Sequence, residues 1–231
     1  MDRSEFDQYA DEYLAQHQAN IAVTGESPEF FAEYKIALTR KFADAAHLAV
    51  RRAVDFGSGI GASVPWFRRY FGDAELTCLD ASPRSLALSQ SRFPGGGETY
   101  REVDGDALPL PDASVDLGFS ACVFHHIAHD EHVGWLRELG RVIAPAGRLV
   151  IFEHNPYNPL TVRAVNSCPF DANARLISAS KLAADMLEAG WKKVETRYHL
   201  FFPHALASLR PVEPALAWLP LGGQYSLVAS R

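Results

Sequence analysis

Cysteine is scarce: the 231-residue chain has 3, Cys78, Cys122 and Cys168. An odd, widely spaced set builds neither a disulfide framework nor a CxxC zinc site. An excess of positive charge is also lacking, since 22 Lys and Arg face 28 Asp and Glu for a net charge of −6. That leaves no general electrostatic footprint for nucleic acid. Basic residues pair only in the doublets Arg51–Arg52, Arg68–Arg69 and Lys192–Lys193, which read as solvated faces. No apolar run approaches the ~20 residues of a membrane span. The opening stretch carries Asp2, Glu5, Asp7, Asp11 and Glu12 in place of an apolar signal core. The expectation is a cytoplasmic protein acting on a small molecule, with no nucleic acid, no integral membrane segment and a possible homodimer.

What is present is an ordinary globular composition, 48% hydrophobic and 22% charged, long enough for one domain over 1–231 with a substantial core. Residues 1–48 read as helical. Phe6, Tyr9, Tyr13 and Leu14, then Phe30, Phe31, Tyr34 and Leu38, recur at helical steps, with Gly25, Ser27 and Pro28 between the runs. From Arg52 the pattern alternates. Strands are expected at Ala53–Phe56, Glu75–Asp80, Thr99–Val103, Val115–Val123, Arg148–Glu153, Val194–Phe202 and Tyr225–Ser230. A helix starting at the Ser82 cap and Pro83 runs to Arg92, and another follows Asp130 until Pro145 and Gly147 stop it. A third carries Leu182, Met186 and Leu187 up to Gly190. Such alternation implies an α/β fold, a mostly parallel sheet covered on both faces, whose ligands bind at the carboxyl ends of the strands.

The first strand ends in Asp55-Phe-Gly57-Ser58-Gly59-Ile-Gly61. Alternate glycines permit a sharp turn and close backbone approach to a ligand. With Ala62 they also satisfy the dinucleotide pattern GxGxxG/A, the basis of a competing NAD-dependent oxidoreductase reading. Asp55 argues against it, because a carboxylate there repels a pyrophosphate and attracts an ammonium. Asp80 ends the second strand with Ala81 after it, at the offset where an acid accepts ribose hydroxyls. Asp106 is placed to accept an adenine amine while the Ala107 N–H donates to the ring.

These elements, together with Leu108-Pro-Leu-Pro-Asp112, Asp116 and Ala144-Pro-Ala-Gly147, resemble a class I S-adenosylmethionine (SAM)-dependent methyltransferase of the small-molecule type. The resemblance covers about residues 50–155. It implies a Rossmann-like seven-stranded sheet in the order 3-2-1-4-5-7-6, the last strand antiparallel, with an N-terminal helical lid over 1–48, a SAM-binding core at 49–155 and a substrate wall at 156–231. It implies SAM as cofactor, Ser120 near its methionine portion, and Tyr9 and Tyr13 in a segment folding over the ligands. A non-catalytic SAM-binding relative would keep the same motifs.

Methyl transfer to a hydroxyl or amine also removes a proton, for which a histidine is suited. His126 and His125 follow the fourth strand and are the candidate base or positioning groups. His129 and His132 extend a histidine cluster, but convergence of rings across a strand end and a helix start is not assured, so no metal is expected. His154 and Asn155 follow the fifth strand as candidate substrate contacts, and Lys35 is a candidate for an anionic substrate group. The Asn155-Pro-Tyr string resembles the Asn-Pro-Pro-Tyr motif of nitrogen methylation, but it follows the wrong strand and lacks the second proline. Phe201-Phe-Pro-His204 and Trp218-Leu-Pro-Leu221 read as core. The overall reading is methyl transfer to a small or medium-sized metabolite, an oxygen acceptor slightly favoured.

Overall fold

The computed structural model describes residues 25–168, 171 and 173–231. Tyr9 and Tyr13 lie outside the described residues. Seven strands form one sheet: β1 (Arg52–Phe56), β2 (Glu75–Asp80), β3 (Thr99–Glu102), β4 (Val115–Ala121), β5 (Ile143–His154), β6 (Lys193–His199) and β7 (Gln224–Ser230). Their order is β3-β2-β1-β4-β5-β7-β6. β7 alone is reversed, pairing antiparallel with both β5 and β6. This is the expected Rossmann-like topology.

Side-chain alternation explains why both faces need cover. Val54 and Phe56 of β1, with Leu149 and Ile151 of β5, join a cluster covered by α4 (His132–Val142) and α6 (Ala179–Glu188). The intervening Ala53, Val150 and Phe152 face α1 (Pro28–Ala45), α2 (Val64–Tyr70) and α3 (Pro83–Arg92). Caps set the helix starts. Ser27 accepts from the Phe30 N–H before Pro28, and Ser82 from the Ser85 N–H before Pro83. Each cap satisfies a backbone donor the helix cannot.

Several boundaries differ from the sequence reading. Asp130 is not the cap of α4; Glu131 holds that place without a side-chain bond, its N–H donating to the Ala128 carbonyl in a backbone turn. β5 starts at Ile143 and runs through Pro145 and Gly147, absorbing them with a register shift against β4 between Val115 and Leu117. Proline is tolerated where a ladder is irregular. β4 stops at Ala121 because Cys122 takes φ +59°, and β6 stops before Leu200 at φ +63°. Residues 201–221 are not core: Trp218 is 74% and Leu221 61% exposed, and a 3₁₀ segment (His204–Val212) has no buried residue. α2 and α5 (Pro159–Ser167) were not anticipated, being only 7 and 9 residues long. No helix among the described residues is long and apolar enough to cross a membrane.

Candidate active site

β1 lies between β2 and β4, so the strand order reverses beside its carboxyl end and a crevice opens there. The chain enters it through Gly57, Gly59 and Gly61, with φ of +76°, +51° and +78°. A Cβ at Gly57 would meet Val123 Cγ2 at 2.3 Å and one at Gly61 would meet Ser89 Oγ at 2.0 Å. A Cβ at Gly59 would meet nothing within 4 Å. Two glycines are therefore required by protein packing, while the middle one faces open space. Gly57 and Ser58 donate to the Leu79 carbonyl at 2.8 and 2.9 Å, binding the turn to β2. Ser58 and Ala81 are buried and frame it.

Asp80 holds the turn from the other side. Its Oδ2 accepts from the Gly59 N–H at 2.7 Å and its Oδ1 from the Ser82 N–H at 2.9 Å. Asp55 lies buried at the end of β1, where Ser63 donates to its Oδ2. Burial raises its carboxyl to about 7 with Asp80 adding repulsion, against the Ser63 hydrogen bond and the Lys35 charge. Such a carboxyl ionises readily beside a cation.

Asp106 and Ala107 are exposed in the loop after β3, entered through Gly105 at φ +84°. That loop is pinned from α4. The Leu108 N–H donates to Glu138 Oε2 at 3.0 Å, and Arg141 donates to the Leu108 and Leu110 carbonyls and to Asp112. Asp116 lies at the opposite end of the sheet, accepting from the Arg51 and Arg52 N–H groups.

Beyond β4 and β5, α1 packs over a cluster of polar side chains. Lys35 is 9% exposed with Nζ 3.5 Å from Cys122 Sγ. Tyr34 donates its hydroxyl to Gln224 Oε1. Gln224 Nε2 lies 3.8 Å from Cys122 Sγ and 3.4 Å from His154 Nδ1. Burial would raise the Cys122 thiol, but the charges of His154 and Lys35 outweigh it and bring it to about 7. Tyr34, Cys122 and Gln224 escaped the sequence reading. Cys122 stands two residues after Ser120, which was the available signal, whereas Gln224 comes from a strand remote in sequence.

Two of the expected contact residues are buried. Ser120 is fully buried on the face shared with Phe56, its Oγ without a partner, so the surface at the end of β4 belongs to Ala121 and Cys122. Asn155 is 1% exposed, with both amide hydrogens engaged. Its Nδ2 donates to the Pro220 and Gly222 carbonyls at 3.0 and 2.8 Å, and its Oδ1 accepts from the Tyr157 N–H at 3.1 Å. It stabilises a turn through both amide hydrogens and its oxygen.

The histidines divide. His132 is buried, its Nε2 donating to the Phe124 and Ile127 carbonyls, while exposed His129 lies beside the Arg175 carbonyl. The four rings do not converge. His125 and His126 stay together with ring centroids 4.2 Å apart, and His154 lies 5.2 Å from His125. Buried Glu153 fixes this corner: Oε1 accepts from the Val123 and Phe124 N–H groups at 2.8 and 2.7 Å, and Oε2 lies 2.6 Å from His125 Nδ1. Asp171 Oδ1 stands 3.4 Å from His126 Nε2 and 3.7 Å from His125 Nε2. Burial alone would lower His125, but Glu153 and Asp171 overcome it and push it up. Burial prevails at His126, which is lowered despite Asp171. His125 is 2% exposed, sealed between Glu153 and the neighbouring rings. His126 keeps some exposed surface.

Sheet order, glycine turn and paired acids define the class: a Rossmann-like fold of the class I methyltransferase type. Residues 54–151 match the family model described as a methyltransferase domain. Over 110 residues the chain is 34% identical to a demethylmenaquinone methyltransferase of Thermus thermophilus, covering 47% of this chain and 49% of the relative. Over 166 residues it is 31% identical to a trans-aconitate 2-methyltransferase of Methylobacterium nodulans, covering 65% and 62%. The chain thus spans less than two thirds of either relative. Among solved structures, a SAM-dependent methyltransferase of Thermotoga maritima, described as a possible histamine N-methyltransferase, superposes with a TM-score of 0.65. It covers 99% of this chain and 98% of its own at 18% identity, a likeness of fold.

Proposed function

We propose that the whole chain transfers a methyl group from SAM to a small or medium-sized metabolite, with an oxygen acceptor favoured. The observation that carries this reading is the Gly59 turn, open to the crevice, held by Asp80 and backed by buried Asp55. These residues suit the cofactor. Asp80 offers a carboxylate to ribose hydroxyls, Asp55 another to the amino-acid end, and Asp106 with Ala107 edges the adenine side. When bound, SAM supplies a methyl group on a sulfonium, open to in-line displacement. The protein's part is to align the acceptor and exclude water.

The acceptor is assigned to the pocket beneath α1. Lys35 faces an anionic or electron-rich group, Cys122 and His154 form the wall, and Tyr34 and Gln224 close it. His126, kept neutral by burial, receives or orients the acceptor's proton. Relatives that methylate a quinone precursor and a carboxylic acid, as their names state, agree with electron-rich small acceptors.

Thermal unfolding with SAM, S-adenosylhomocysteine, NADH and NADPH in separate samples tests the cofactor. A ligand at a hundred times its Kd adds about 2.7 kcal/mol, which raises the midpoint by roughly 5–10 °C for a domain of this size. The expected result is a shift with both adenosyl sulfur compounds and none with the nicotinamides. A shift with NADH alone overturns the reading. Release of S-adenosylhomocysteine in a screen of hydroxy, carboxy and quinol acceptors then tests turnover, and the His126→Ala variant should lower kcat more than SAM affinity.

A further inference from the structure

We propose that His125, His126 and Asp171 form a binding site for a divalent transition-metal ion of the zinc type. Three ligand atoms, His125 Nε2, His126 Nε2 and an Asp171 carboxylate oxygen, lie within 4.8 Å of one another. The Asp171 oxygen is 3.4 Å from one ring nitrogen and 3.7 Å from the other. Tetrahedral ligands at zinc distances, about 2.0–2.1 Å from the ion, stand about 3.3 Å apart. The two oxygen–nitrogen separations fall within a few tenths of an ångström of that value, and the whole set lies within 4.8 Å.

The surroundings are those a metal histidine requires. His125 has its other ring nitrogen 2.6 Å from Glu153, itself locked by two backbone N–H groups. A carboxylate behind a ligating imidazole fixes its tautomer and raises its basicity. Two carboxylates, Glu153 at 1% and Asp171 at 12% side-chain exposure, gather around these histidines. Two histidines and one carboxylate leave a coordination position for water or an oxygen ligand.

The sequence offers ring convergence only among His125, His126, His129 and His132, whereas the third ligand proposed here is Asp171, on a segment 45 residues past His126. With metal bound, His126 is a ligand and not a proton acceptor, so this inference rests on the methyl-transfer reading for its catalytic consequence alone. Ion binding itself does not depend on it.

The test uses the full chain, stripped with chelator and titrated with Co²⁺ and then Zn²⁺ alone. The expected result is one Co²⁺ per chain with visible d–d absorption, displaced by Zn²⁺. D171N and H126Q should each weaken binding at least tenfold and E153Q by about 10–100-fold, while H129Q, which alters an exposed histidine outside the set, leaves it unchanged. Unfolding midpoints establish that each variant is folded, and H126Q serves where D171N is not. Absence of d–d bands at millimolar Co²⁺, or equal binding by wild type, D171N and H126Q, overturns the proposal. A protein that binds Co²⁺ in this way yet shows no SAM shift would sink the methyl-transfer reading and keep the metal site.

Discussion

Asp80 spans from the end of β2 to the Gly59 N–H at 2.7 Å, so one carboxylate both shapes the glycine turn and stands at its open side. Removing it has two consequences that act together. Asp80→Ala loses two charge-assisted hydrogen bonds to backbone, each worth about 1.5–3 kcal/mol. SAM affinity measured by calorimetry should fall by about 10–100-fold or more. Unchanged affinity would place the cofactor elsewhere.

Gly59 and Gly61 share a left-handed backbone but differ in what surrounds them. Gly61→Ala drives a methyl group onto Ser89 Oγ and adds backbone strain. Together these cost about 2–5 kcal/mol. Gly59→Ala meets no protein atom and costs only the strain, about 1–2 kcal/mol. Unfolding midpoints should therefore drop far more for Gly61→Ala, while Gly59→Ala should lose SAM binding with a nearly intact fold. The reverse ranking would show that the open face of Gly59 is not the ligand face.

The Asp55 carboxyl, raised to about 7 by burial, makes cofactor binding pH dependent. A cationic amino-acid group binds the ionised form. Affinity should thus rise as pH climbs toward 7 and level off above it, and the Asp55→Asn profile should be flat. The stability sign is opposite. A carboxyl whose folded pKa exceeds its unfolded value contributes stability below the unfolded pKa and loses it as pH rises through about 7. Ligand-free Asp55→Asn should consequently gain on wild type between pH 5 and pH 8.5, by about 3 kcal/mol. Parallel thermal curves across that range would refute the shift.

Asn155 provides a contrast between structure and catalysis. Asn155→Ala leaves the buried Pro220 and Gly222 carbonyls without their donor. The cost is about 2–4 kcal/mol, or roughly 5–10 °C in the midpoint. Acceptor KM should stay within about twofold in the folded fraction. A large rise in KM with an unchanged midpoint would restore Asn155 as a substrate contact.

The local parts of this protein were determined by sequence alone. Ser82-Pro83 starts a helix because a capping hydroxyl and a ring-fixed φ act within three residues. Gly57, Gly59 and Gly61 turn the chain because other residues resist φ near +50° to +80°. β1 and β2 showed as short apolar runs, and their order with Asp55, Asp80 and Asp106 conveyed the sheet topology. Cofactor chemistry was legible for the same reason, since its elements sit just after successive strands.

The polar cluster under α1 and the histidine corner were decided only by tertiary structure. Lys35, Cys122, His154 and Gln224 come from α1, the loop after β4, β5 and β7, and no periodicity links α1 to β7. Burial separated residues that looked equivalent in sequence: His126 keeps an edge in solvent while neighbouring His125 is sealed by Glu153, and Asn155 is consumed by a turn next to partly exposed His154. Local rules act over a few residues, whereas a site is assembled by strand crossovers that bring residues such as Tyr34 and Gln224, 190 positions apart, into hydrogen-bonding contact. That meeting is a property of the sheet's order, which packs α1 across the ends of β5 and β7.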